Sequence, residues 1–330
     1  MDKLIELQKD FVNERLGTFI HWNSAAAQFH DSKDIIDWEY GVENGGDARQ
    51  YPFNEADWNP RHLDCKKWAK IAKSAGCRFG ILTTKHHEGF CLWDSKYTEH
   101  CVRNATNKTD VVAEFLSAFR AEGMKAGLYF SILDLTSKLG RYEFTEAHRE
   151  MVLGQITELL TNYGEIPYLV IDGWNAPWGG PSYKTLPFEE VDALVKKLQP
   201  NCLLMNIGCT EGIKGTDIVF FENGAGQDVD NGFEGPGALC QTLTTTWFNR
   251  DEHKDQPVKS ADWALKLMNR CFGMNVTFIM SNSMPPRTPL SVRLSSSRMR
   301  ELRVASCAFS SSMRFFRWTA AVLSPKSARE

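Results

Sequence analysis

Two carboxylates close apolar runs in this sequence: Asp172 ends YLVID (168–172) and Glu222 ends DIVFFE (217–222). An acid at the end of an apolar strand is poorly solvated on one side, which favours its protonated form. Glycoside hydrolysis uses such a pair around an oxocarbenium-like transition state, one carboxyl as nucleophile and one as general acid/base. Either residue could instead cap the helix that follows its strand. Three imidazoles, His21, His86 and His87, stand at the ends of two further apolar runs. Their ring nitrogens suit hydrogen bonding to vicinal hydroxyls, or metal ligation. On an extended segment, neighbouring His86 and His87 point to opposite sides, so one is expected to face a site and the other to pack behind it. Trp38, Trp93, Trp174, Trp178 and Trp247 offer aromatic faces of the kind that pack against sugar rings.

These residues need elements to position them. Eight short, mostly apolar stretches read as strands: 17–21, 79–84, 126–132, 168–172, 202–207, 217–222, 242–247 and 275–280. Near-continuous apolar runs suit parallel strands buried on both faces. Helical patterns with cap-and-stop residues lie between them, over 64–74, 109–122, 143–163, 188–198 and 261–272. Alternation of this kind predicts an α/β fold, a (β/α)8 TIM-like barrel, with an open doubly wound sheet as the alternative. No G-x-G-x-x-G follows a strand, which argues against a dinucleotide site. The Gly-rich segment 223–240 reads as a long loop and 22–60 as another. In a barrel, the C-terminal strand ends share one mouth, where Asp172 and Glu222 would sit roughly 10 Å apart at about 4.8 Å per strand. Inward side chains could shorten that gap to the ~5–5.5 Å of a retaining glycosidase.

The 330 residues are 42% hydrophobic and 12% aromatic, which excludes a disordered chain. No apolar run reaches the ~18 residues of a membrane span, and a net charge of −3 gives no reason to expect nucleic acid. Nine cysteines without a C-x-x-C indicate neither a zinc ribbon nor a complete disulfide framework. The charged N-terminal helix lacks a signal-peptide core, so a cytoplasmic chain is expected, with the sequons at Asn104, Asn107 and Asn275 unused. From Arg287 onward, eight Arg and one Lys face two Glu, and ten Ser accompany them. This reads as a domain over 1–284 followed by an atypical 285–330 tail. The tail is disordered, is a sequence discontinuity, or forms a terminal helix over 296–309.

The motifs GTFIHW (17–22) and ILTTKHHEGFCLWDSKYTEHCV (81–102) resemble those of the α-L-fucosidases of glycoside hydrolase family 29. GMKAGLYFS (123–131), LQPN (198–201) and GTDIVFFE (215–222) follow in the family's order. The resemblance implies a retaining exo-glycosidase that releases α-L-fucose from fucosylated glycans without cofactor or metal. It implies Asp172 as nucleophile and Glu222 as acid/base, with Glu234 as a substitute. It further implies His21, His86, His87, Trp38 and Trp247 around the fucose, with Tyr129 beside them. The chain departs from the family's pattern at Asn23, where the family has Gly, and at Glu88, where it has Asp. The family's downstream β-sandwich is not expected in a chain of this length. Two alternatives share the scaffold: a catalytically impaired carbohydrate-binding barrel, and a barrel glycosidase for another sugar such as galactose.

Overall fold

The computed structural model describes residues 2–23, 54–135, 144–176, 180–208, 215–222, 227–230, 232–244, 247 and 258–282. Trp38, Trp178 and the 285–330 tail lie outside them.

Eight parallel strands close into a barrel in chain order. They are β1 (Leu16–Ile20), β2 (Phe79–Lys85), β3 (Lys125–Ser131), β4 (Tyr168–Asp172), β5 (Leu203–Ile207), β6 (Ile218–Glu222), β7 (Gly237–Thr242) and β8 (Val276–Asn282). β8 closes the ring on β1 over Leu16–Ile20. Outside lie α2 (Cys65–Ser74), α3 (Val111–Ala121), α4 (Glu146–Thr161), α5 (Phe188–Leu198) and α6 (Ala261–Gly273), while α1 (Asp2–Glu14) precedes β1. The helices begin where the sequence offers a cap: the carboxylates of Asp64 and Asp110 accept from Lys67 N–H and Ala113 N–H.

Side chains alternate across each strand, so two cores form. One lies between strands and helices and holds Leu82, Phe130, Leu169, Ile171, Val219 and Phe221. The other fills the barrel and holds Phe19, Ile81, Tyr129, Val170, Met205 and Phe220. α1 plugs the end where the strands begin: Phe11 packs its ring on Phe79 and Tyr168 at 5.5 and 5.1 Å. Gln8 Nε2 donates to the Asp217 carbonyl at 2.7 Å, and Thr277 Oγ1 donates to the Phe11 carbonyl at 3.0 Å.

The barrel prediction holds, with one strand moved. β7 occupies 237–242, starting inside the segment 223–240 that reads as a Gly-rich loop, whereas Leu243 and Thr244 of TLTTTW (242–247) already lie beyond the strand. Barrel interiors alternate large and small side chains in layers. β7 supplies the small ones, Ala238 and Cys240, beside Phe220 of β6 and Ile279 of β8. Small residues after a Gly-Pro-Gly run carry no strand signature, while the β-branched threonines that follow do.

Candidate active site

The interior alternation sets the site. On β4, Tyr168 and Val170 point into the barrel, and Asp172 continues that series. On β6, Ile218 and Phe220 do the same, and Glu222 follows. Both carboxylates are the last residues of their strands, separated by β5 alone. Tyr129, an interior residue of β3, donates its hydroxyl to Asp172 Oδ2 at 2.6 Å. His87 Nε2 lies 3.5 Å from the same oxygen. Glu222 is held by its backbone: its N–H donates to Gln227 Oε1, and Gln227 N–H donates to its carbonyl, both at 3.0 Å.

The histidine side is more closely knit. His21 continues the interior series of β1 beyond Phe19. Thr83 ties that strand end to β2: its hydroxyl accepts from Trp22 N–H at 2.8 Å and lies 3.1 and 2.9 Å from the Ile20 and Trp22 carbonyls. β2 then shifts register between Thr83 and Lys85. Such an irregularity re-aims the side chains beyond it. Lys85 turns outward, where its buried ammonium donates to Gln155 of α4 at 2.9 Å and sits 3.5 Å from Asp134 Oδ2. The chain then turns, with Gly89 N–H donating to the His86 carbonyl at 3.0 Å. Gly89 has a φ of +90°, and a Cβ there would lie 2.3 Å from Asp134 Oδ1.

This turn corrects the expectation for His86 and His87. The segment is not extended, so the two rings do not part. Their centroids are 4.3 Å apart and both are buried. His86 stacks on Tyr129 at 5.7 Å and meets His21 edge-on at 4.8 Å. His87 Nδ1 lies 2.7 Å from the hydroxyl of Ser131, a partner that the motif reading did not identify. Ser131 ends β3 two residues after Tyr129, so interior parity is the signal that could have found it.

The aromatic candidates divide. Trp247, five residues beyond β7, packs on His21 at 5.3 Å and Phe19 at 6.2 Å. Trp93 and Trp174 belong to the outer core; their indoles donate to Glu158 and to the Leu186 carbonyl. Glu234 is exposed and precedes β7, at the barrel end opposite the mouth, where Asn275 Nδ2 donates to its carbonyl at 3.3 Å. It cannot reach the site that holds Asp172.

Charge follows burial. Desolvation pushes all three imidazoles down, His21 to about 3, with His87 adding repulsion on His21 and His86. They are neutral near pH 7, so each ring offers one donor and one acceptor. Glu222 is raised to about 8, first by burial and then by the Asp172 charge, with Trp247 acting in the opposite direction. Among the described residues, donor atoms of His86, His87 and Asp172 lie within 4.8 Å of one another, a grouping that could also hold a cation.

The model of the alpha-L-fucosidase family matches residues 2–286. The chain belongs to this family. Alpha-L-fucosidase 1 of Arabidopsis thaliana is 39% identical over 156 residues, covering 46% of this chain and 30% of that protein. Tissue alpha-L-fucosidase of Homo sapiens is 30% identical over 136 residues, covering 38% of this chain and 29% of that protein. The matches thus span about a third of these relatives' length. Among solved structures, alpha-L-fucosidase isoenzyme 1 from Paenibacillus thiaminolyticus aligns with a TM-score of 0.66 and 28% identity, covering 84% of this chain and 70% of that one. A family 29 alpha-L-fucosidase from Bacteroides thetaiotaomicron shares the fold with a TM-score of 0.68 at 24% identity, over 84% and 68% of the two chains. Among the described residues, no helix is long and apolar enough to cross a membrane.

Proposed function

We propose that this chain is a retaining exo-α-L-fucosidase, acting on terminal α-L-fucose of fucosylated oligosaccharides or glycoconjugates. The observation that carries this reading is the pairing of two inward strand-end carboxyls in opposite roles. Asp172 receives the Tyr129 hydroxyl, whereas Glu222 is held toward its protonated form beside it. Retaining hydrolysis needs one carboxylate to attack and one carboxylic acid to donate.

In the first step, Asp172 Oδ attacks the anomeric carbon as the glycosidic C–O bond breaks, and Glu222 gives its proton to the departing oxygen. The fucosyl group is then an ester on Asp172. In the second step, Glu222, now a carboxylate, takes a proton from water, whose oxygen displaces Asp172 from the same carbon. Fucose leaves with its configuration retained, and both carboxyls return to their starting states. The hydrogen bond from Tyr129 disperses charge on Asp172 and fixes its angle of attack. Neutral His21, His86 and His87 are suited to the sugar hydroxyls, since each ring can donate and accept without bringing in a charge. Trp247, packed on Phe19, supplies an apolar wall for the C6 methyl of fucose.

Nitrophenol release from an aryl α-L-fucoside, set against an aryl β-D-galactoside, tests the reading. Preferential release from the fucoside supports it. Release from the galactoside alone would overturn the sugar assignment, and silence from folded protein would favour a binding barrel.

A further inference from the structure

Two of the positions at which the sequence leaves the family's motif pattern, Asn23 and Glu88, lie 65 residues apart in the chain and meet in space. Asn23 Nδ2 donates to Glu88 Oε2 at 3.5 Å, and the same carboxylate oxygen stands 3.7 Å from His86 Nδ1. Both side chains are almost wholly buried, with Asn23 at 2% and Glu88 at 3% exposure. Asn23 follows β1 by three residues, and Glu88 follows β2 by three. The pair therefore joins the two loops that carry His21 and His86.

We propose that Asn23 and Glu88 are a matched positioning pair for His86. A buried carboxylate needs a donor, and a buried amide needs an acceptor. With Gly at position 23 the amide would be missing. With Asp at position 88 the carboxyl would be drawn back by one C–C bond, about 1.5 Å, out of reach of the Asn23 amide. The carboxylate beside Nδ1 favours the tautomer with its proton on that nitrogen. This leaves Nε2 as an acceptor for a sugar hydroxyl, since the partner of one ring nitrogen sets the state of the other. The pair touches no reacting atom and acts through the imidazole. Its importance for turnover rests on the fucosidase reading above, but its effect on the ring does not.

The test is a four-member cycle of wild type, Asn23→Gly, Glu88→Asp and the double variant, read as KM and kcat on an aryl α-L-fucoside alongside Tm. Each single change is expected to raise KM about tenfold with kcat within about threefold, and the double variant to raise KM no further than the worse single variant. Two single effects that multiply in the double variant would show that the residues act independently and overturn the pairing. A loss of Tm that tracks KM through the whole cycle would reduce the pair to structural support and also overturn it. The ring itself is read without turnover, from the imidazole 15N shifts of His86 in wild type and Glu88→Gln. Wild type should show a protonated Nδ1, and the isosteric amide should shift the ring toward the other tautomer. An unchanged spectrum would contradict the proposal even in an active enzyme. A shifted spectrum in a protein inactive on fucosides would uphold it while the fucosidase reading failed.

Discussion

At the end of β2, the run from Thr83 to Gly89 is held by its neighbours on every side. Thr83 binds the end of β1, Thr84 Oγ1 donates to the Tyr129 carbonyl at 2.7 Å, and Lys85 reaches Gln155 of α4. The His87 carbonyl accepts from Leu135 N–H at 2.8 Å. At the end of β6, Glu222 is held by its reciprocal pair of bonds with Gln227, and its carboxyl is governed by burial and by the charge of Asp172. The first arrangement fixes positions and suits the recognition of hydroxyls. The second sets a proton affinity and suits proton transfer. Asp172 stands between them, bonded to Tyr129 and raising Glu222 by its charge. Substitutions on the β2 side should therefore register as lost affinity or stability, and those on the β6 side as altered pH and leaving-group dependence.

The largest effect belongs to the residue both sides share. Asp172→Ala should lower kcat on an aryl fucoside by about 10⁴-fold with an unchanged circular-dichroism spectrum. A loss of tenfold or less would remove the nucleophile assignment. Glu222→Ala comes next and should divide substrates. Hydrolysis of a fucosyl oligosaccharide, whose leaving alkoxide needs a proton, should fall by about 10²–10⁴-fold, and formation of the fucosyl-enzyme from a nitrophenyl fucoside far less. Equal losses on both would contradict the acid role and erase the contrast between the two sides.

Tyr129→Phe removes the 2.6 Å hydrogen bond to Asp172 and should cost about tenfold or more in kcat, by the ~1.5–3 kcal/mol of a hydrogen bond to a charged group. The pH profile gives a milder contrast. The raised group must be protonated to donate, so kcat/KM should fall as pH rises through about 8, roughly tenfold per unit beyond. That limb should vanish in Glu222→Gln and persist in His21→Ala, because the His21 ring is already neutral well below this range.

Much of this was legible in the sequence, for physical reasons that differ by element. Strands β4 and β6 read correctly because a period of two in an apolar run leaves one parity for the barrel interior, and Asp172 and Glu222 fall on it. The barrel followed from the alternation of such runs with capped helices. The pairing of His86 with His87 was not legible, since it depends on a register shift after Thr83 and a turn closed at Gly89, and neither alters the local apolar pattern. Strand β7 was hidden for the opposite reason: its interior residues are small because their neighbours are large. Much of the motif after Gly89 is packing rather than chemistry. Phe90, Cys91, Leu92 and Trp93 are buried in the outer core, and the Trp93 indole donates to Glu158 of α4 at 2.9 Å. Trp22 likewise packs between Trp58 and Trp68 rather than facing a sugar.

The proposed nucleophile, Asp172, must form a covalent bond to the sugar. That bond can be trapped and read by intact-protein and peptide mass spectrometry after incubation with a 2-deoxy-2-fluoro-fucosyl fluoride. The fluorine at C2 destabilises the oxocarbenium-like transition states of both steps, while the fluoride leaving group still allows the first. One fluorofucosyl group on the peptide carrying Asp172, absent from Asp172→Ala, is the predicted result. A label on another residue, or an enzyme that hydrolyses fucosides yet takes up no label and releases the inverted sugar, would contradict the account.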